Sequence, residues 1–147
     1  MRSGIMIALF LVLGSCSDDD KPKSQEFSTS DLPQRWELYF LTTGLSGESL
    51  EGDKISFKET YVFRQDGTFS KSYKSESFQG TGQGTFIVEE TGDGELIRLS
   101  YDSEVGELSK CSRENLESIN ISQDRITLRN VACIAFDGPG LYYQRID

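Results

Sequence analysis

The stretch Tyr61 to Tyr73, YVFRQDGTFSKSY, constrains the fold more than any other part of the chain. Two short runs of aromatic and β-branched residues flank Asp66-Gly67, a dipeptide that accepts positive φ at little cost and closes a tight two-residue hairpin. Counting outward from the turn, Tyr61, Phe63, Phe69 and Tyr73 fall on one face, with Arg64, Gln65, Ser70 and Ser72 on the other face or in the turn itself. One wall of this hairpin is therefore buried.

The same period of two recurs along the chain. Arg35 to Thr42 carries Trp36, Leu38 and Phe40 in alternation, Thr85 to Glu89 carries Phe86, and Glu95 to Tyr101 carries Ile97, Leu99 and Tyr101. A second hairpin, across Gln123-Asp124, joins Leu116 to Ser122 with Arg125 to Asn130 and turns Ile119, Ile121, Ile126 and Leu128 inward. The last strand, Leu141 to Ile146, contributes Tyr143. Gly80-Thr81-Gly82-Gln83-Gly84 lacks the lysine and the helix of a phosphate loop and reads as a glycine-rich bend or bulge. About eight short strands separated by turn signals, with no helical pattern between them, predict an all-β antiparallel meander. Closing it removes both edges, so the expected fold is an eight-stranded up-and-down barrel. The long connections, Thr43 to Asp53, Lys74 to Gly84, Asp102 to Arg113 and Val131 to Gly140, then share one open end, opposite a closed end of tight turns. Trp36, Leu38, Phe40, Tyr61, Phe63, Phe69, Phe86, Ile97, Leu99, Tyr101, Ile119, Ile121, Ile126, Leu128 and Tyr143 are the expected interior. They either line a ligand cavity or fill the tube themselves.

Residues 1–15 combine Arg2, an apolar run from Ile5 to Leu13 and the small pair Gly14-Ser15. That run is too short to cross a bilayer and reads as an export signal. Leu13-Gly14-Ser15-Cys16 resembles the lipobox of bacterial lipoproteins, which implies lipidation of Cys16 and a mature chain that starts there. Several acyl chains, each buried CH₂ worth about 0.8 kcal/mol, would anchor it stably to a membrane. Ser17, Asp18, Asp19 and Asp20 resemble the acidic export signal that sends lipoproteins of Bacteroidota to the outer face of the outer membrane. Residues 16–31 are expected to form an acidic flexible tether, because Lys21 to Ser30 is poor in large apolar groups, and residues 32–147 the barrel. With Cys16 assigned to lipid, Cys111 and Cys133 in the open-end loops of an exported chain suggest a disulfide; two buried thiols are the alternative.

Charge and composition narrow the function. The chain has 24 acidic against 15 basic residues, a formal charge of −9, which disfavours nucleic acid as a partner. It has no histidine, hence neither the commonest neutral-pH acid/base group nor the commonest imidazole metal ligand. No nucleophile, metal or phosphate-loop motif is present, so neither an enzyme nor a metal or other cofactor is expected.

The strand pair ETYVFRQDGTFSKSY and the terminal DGPGLYYQRI, in this layout, resemble the small lipocalin-like lipoproteins of Bacteroidota over about Trp36 to Ile146. The resemblance implies that Trp36 packs at the closed end with Arg145, as a cation–π pair; Gln34 stands where lipocalins have glycine. It also implies, through the fold, binding of a small hydrophobic ligand at the open end. The alternative is a surface interaction or structural protein, with a protein partner of unknown identity and a side-chain-filled barrel.

Overall fold

The structure is a computed structural model that describes residues 25–44, 46–104, 106–108, 115–130 and 138–147. It is an eight-stranded, closed, antiparallel up-and-down β-barrel with one further strand outside, and no α-helix occurs among the described residues. The strands are β1 (Gln34–Thr42), β2 (Ser49–Glu51), β3 (Lys58–Phe63), β4 (Thr68–Lys74), β5 (Gln79–Thr91), β6 (Gly94–Tyr101), β7 (Leu116–Ile121), β8 (Thr127–Asn130) and β9 (Gly140–Arg145). From β3 to β9 each strand pairs with the next, and β9 closes on β1, with Trp36 opposite Arg145 and Leu38 opposite Tyr143. The short β2 pairs only with the far end of β1, beyond the point where β3 leaves that edge.

Alternation sorts the side chains as expected along most of the barrel. Trp36, Leu38, Tyr61, Phe63, Phe69, Phe86, Ile97, Leu99, Tyr101, Ile119, Ile121, Leu128 and Tyr143 are all buried. Two expected interior residues are not. Phe40 is half-buried and stacks edge-on against Tyr142, 5.2 Å between ring centres, because a β-bulge between Leu38 and Phe40 shifts the register against β9 and turns Leu41 inward instead. Ile126 is 45% exposed, because β8 starts only at Thr127. The connection ahead of it runs from Ser122 to Ile126, with Arg125 at φ 61° and the Asp124 carboxylate accepting from the Ile126 amide. The expected two-residue turn at Gln123-Asp124 is thus a longer loop that spends Ile126 before the strand begins.

The opening hairpin differs in a similar way. Its loop takes in Gln65 to Gly67, with Gly67 N–H donating to the Arg64 carbonyl at 3.1 Å and only Gly67 at positive φ (78°), the three-residue form rather than the two-residue one. The glycine run does not form a bend. It lies within the 13-residue β5, with Gly80, Gly82 and Gly84 facing Tyr73, Lys71 and Phe69 of β4. A Cβ on Gly82 would come within 2.9 Å of the Tyr101 ring, one on Gly80 within 2.8 Å of the Phe78 ring, and one on Gly84 would collide with the Ser100 carbonyl oxygen. Packing overrides the poor strand propensity of glycine here, since large neighbours use the space its absent side chains leave.

The segment before β1 is part of the barrel's packing. Phe27 is fully buried at the closed end, with its ring 5.6 Å from Phe63 and 6.1 Å from Trp36. Its N–H donates to the Arg125 carbonyl at 2.7 Å, and its own carbonyl accepts from Arg125 Nε at 2.9 Å. Of the stretch expected to be tether, residues 16–24 lie outside the described residues, whereas residues 25–31 are not free: the buried Phe27 and its bonds to Arg125 hold them across the bottom of the barrel.

Candidate functional site

The inward positions divide the tube into two halves. Toward the closed end they are apolar: Phe27, Leu32, Trp36, Phe63, Ile97, Ile119, Ile121 and Leu128 form a continuous plug. Toward the open end they include polar and ionisable groups, because Glu59 near the start of β3, Glu117 near the start of β7, Tyr101 at the end of β6 and Asn130 at the end of β8 all point inward in phase with the apolar residues of their own strands. Lys71 does the same in β4, between Phe69 and Tyr73.

These groups meet. Lys71 Nζ lies 2.9 Å from Glu59 Oε1 and 3.1 Å from Glu117 Oε1, and 5.0 Å from the centre of the Tyr61 ring. The Tyr61 hydroxyl donates to Glu117 Oε1 at 2.9 Å, the Tyr143 hydroxyl to Glu59 Oε1 at 2.6 Å, and the Tyr101 hydroxyl to Glu117 Oε2. Asn130 Nδ2 donates to Glu117 Oε1 at 2.5 Å. Lys71, Glu59 and Glu117 are 2%, 3% and 1% exposed. Two carboxylates and one ammonium leave one formal negative charge in excess, spread over donors from three phenols and one amide. Burying such charges costs several kcal/mol per ion unless hydrogen bonds and opposite charges replace the lost water, and here they do.

The same environment sets the protonation of the donors. Burial, then Glu117 and neighbouring acidic groups, push the Tyr61 phenol well up. Burial and Glu117 raise Tyr101, and burial and Glu59 raise Tyr143. For Lys71 burial pulls down, but Glu117 and Glu59 together outweigh it and hold the ammonium above its usual value. The phenols therefore stay neutral donors and the lysine stays charged. Neither is poised as a base or a nucleophile at neutral pH. Among the described residues no group of three or more Cys, Asp or Glu is placed to hold a metal ion.

Around this cluster the open end is aromatic. Phe57 and Tyr73 stack at 5.1 Å, Phe78 lies 5.8 Å from Tyr73, and Leu108 reaches back over Gly80 and Gly82. At the closed end Trp36 and Arg145, expected as a cation–π pair, are register partners on β1 and β9, and the guanidinium is engaged by carboxylates: Arg145 donates to Asp31 at 2.7 Å and Asp147 at 3.0 Å. The indole N–H donates 3.2 Å to Gln34 Oε1, while Gln34 Nε2 donates 3.1 Å to the Ser28 carbonyl. Gln34, fully buried, thus ties Trp36 to the N-terminal segment. Cys16, Ser17, Asp18, Asp19, Asp20, Cys111 and Cys133 lie outside the described residues.

Sequence reasoning passed over Glu59, Lys71, Glu117 and Asn130. The signal was present: each sits two residues from an aromatic or aliphatic residue assigned inward, so alternation alone placed them inside. Comparison of the chain with protein-family models, with curated proteins and with solved structures found no match.

Proposed function

We propose that this chain is a non-catalytic, lipid-anchored protein of the bacterial outer membrane, a lipocalin-like lipoprotein whose barrel is filled by its own side chains and whose open end serves contacts with another protein. One observation carries this reading. The place where an apolar ligand would sit is occupied by the hydrogen-bonded Glu59–Lys71–Glu117 cluster, beneath side chains that use the glycine spaces of β5. A hydrocarbon chain inserted there would separate these charges from their partners without offering any hydrogen bond in return. The acidic rim residues Glu48, Glu51 and Asp53 are exposed in the connection that leaves β1 at this end and suit a partner with basic groups.

A direct test is titration of the full chain with a fluorescent fatty acid and an apolar probe. No saturable uptake is expected, and stoichiometric uptake displaced by unlabelled lipid would overturn the filled-barrel reading. For the anchor, incorporation of labelled palmitate should be lost in Cys16→Ala, and unchanged membrane association of that variant would reject lipidation.

A second reading, an amphiphile bound at the mouth, is favoured by the half-buried Phe57–Tyr73–Phe78 cluster lying above a charged floor. In that case Tyr73→Ala would abolish uptake of a probe that the unaltered chain takes up.

A further inference from the structure

Resting on the lipid anchoring proposed above, we infer that the barrel stands on the membrane closed end down, so that the open end, with its long connections and aromatic mouth, faces away from the lipid. The N-terminal segment fixes this polarity. Phe27 is locked beneath Trp36 and Phe63, its backbone is bonded in both directions to Arg125, and the Glu26 carbonyl accepts from Gln34 Nε2 at 3.4 Å. The described chain thus begins at the closed end. Nine residue steps separate Cys16 from Gln25, which no conformation can stretch beyond about 30 Å. The barrel is on the order of 20 Å tall, from eight residues of β6 at about 3.3 Å each and a strand tilt of about 40°. Laying the open end on the bilayer would require this short stretch to cover about 20 Å of its roughly 30 Å limit down the outside of the barrel, more than its relaxed reach of about 15–18 Å. With the closed end down, any compact path suffices.

Apolar side chains are exposed at both ends, Leu116 at the open end among them, so they do not set the polarity, but the closed end has two that can meet lipid. Ile126, in the loop before β8, and Ile146, just after β9, are 45% and 43% exposed there. Both can enter the interfacial region of a bilayer.

Trp36 is the single tryptophan of the chain and lies in the closed half, which makes it an internal probe. The full chain, acylated in a Gram-negative host and reconstituted in vesicles of phosphatidylethanolamine and phosphatidylglycerol, is examined for energy transfer from tryptophan to a headgroup-dansylated lipid. Transfer from Trp36 should exceed several-fold that from a variant combining Trp36→Phe with Glu76→Trp, which moves the indole to the exposed β4–β5 turn at the open end. Inserting about 20 Gly and Ser residues after Asp20, with an added reach of about 25 Å, leaves the fold untouched and should lower transfer from Trp36 several-fold. Equal or reversed transfer from the two ends overturns the inference, as does transfer from Trp36 that is indifferent to the insertion. If the unaltered chain fails to float with the vesicles, the anchor itself is rejected, a result read without any fluorescence, and the orientation falls with it.

Discussion

A lysine ammonium inside a barrel survives only because two carboxylates face it, and removing it exposes the cost. Lys71→Met would leave Glu59 and Glu117 buried together with no cation between them, and should destabilise the protein by about 3–5 kcal/mol at neutral pH, read from urea unfolding. A loss below about 1 kcal/mol would mean that the carboxylates are not held as described. The alkaline limb of stability is set by the same residues. Tyr61, Tyr101, Tyr143 and Lys71 all hold their protons more tightly when folded than when unfolded. Their contribution is therefore complete below the unfolded values, near pH 10, and is lost as pH rises further, because the unfolded chain releases these protons first. Unfolding free energy should fall steeply above about pH 10. Tyrosinate absorbance from the three buried phenols should appear together with the loss of β-sheet circular dichroism; their ionisation in a still-folded barrel would contradict the burial and charge argument.

Among the elements, β5 is the strand whose composition least resembles its role. Gly84→Ala should cost about 1–3 kcal/mol or more, because its Cβ meets the Ser100 carbonyl oxygen, a backbone atom that cannot swing away. Gly80→Ala meets the far end of the Phe78 ring and should cost clearly less. Thermal melts of the two variants test that order, and a reversed order would mean that β5 and β6 do not approach as closely as described. The meander, its closure and most inward positions were legible in the sequence because aromatic and β-branched residues repeat every second place in β1, β3, β4, β6 and β7. The glycine strand was not, since its reason lies largely in Tyr101, Leu108 and the Ser100 carbonyl, which only the folded barrel brings alongside. Nor was the bulge at Tyr39, where a single extra residue sends Phe40 outward and Leu41 inward. The charged cluster was half legible. Alternation put Glu59, Lys71 and Glu117 inside and the β3–β4 hairpin sets Glu59 beside Lys71, but only closure of the sheet brings Glu117 of β7 across the tube to both.

At the scale of the whole molecule, the N-terminal segment acts as the bottom of the vessel. Phe27→Ala should cost about 3–5 kcal/mol, and a fragment beginning at Leu32 should melt well below one beginning at Gln25, although both contain every strand. Equal melting temperatures would show that the segment is a tether after all. β1 is the seam of the molecule: it holds β3 and β2 along one edge and β9 along the other. Partners such as Trp36 and Arg145 come from near the two ends of the folded chain, so the ring is joined by its most distant contacts. A chain emerging residue by residue, from a ribosome or through a translocation pore, carries an open-edged sheet until its final strand is delivered. Whatever shields that unfinished margin governs how much of the protein is produced intact.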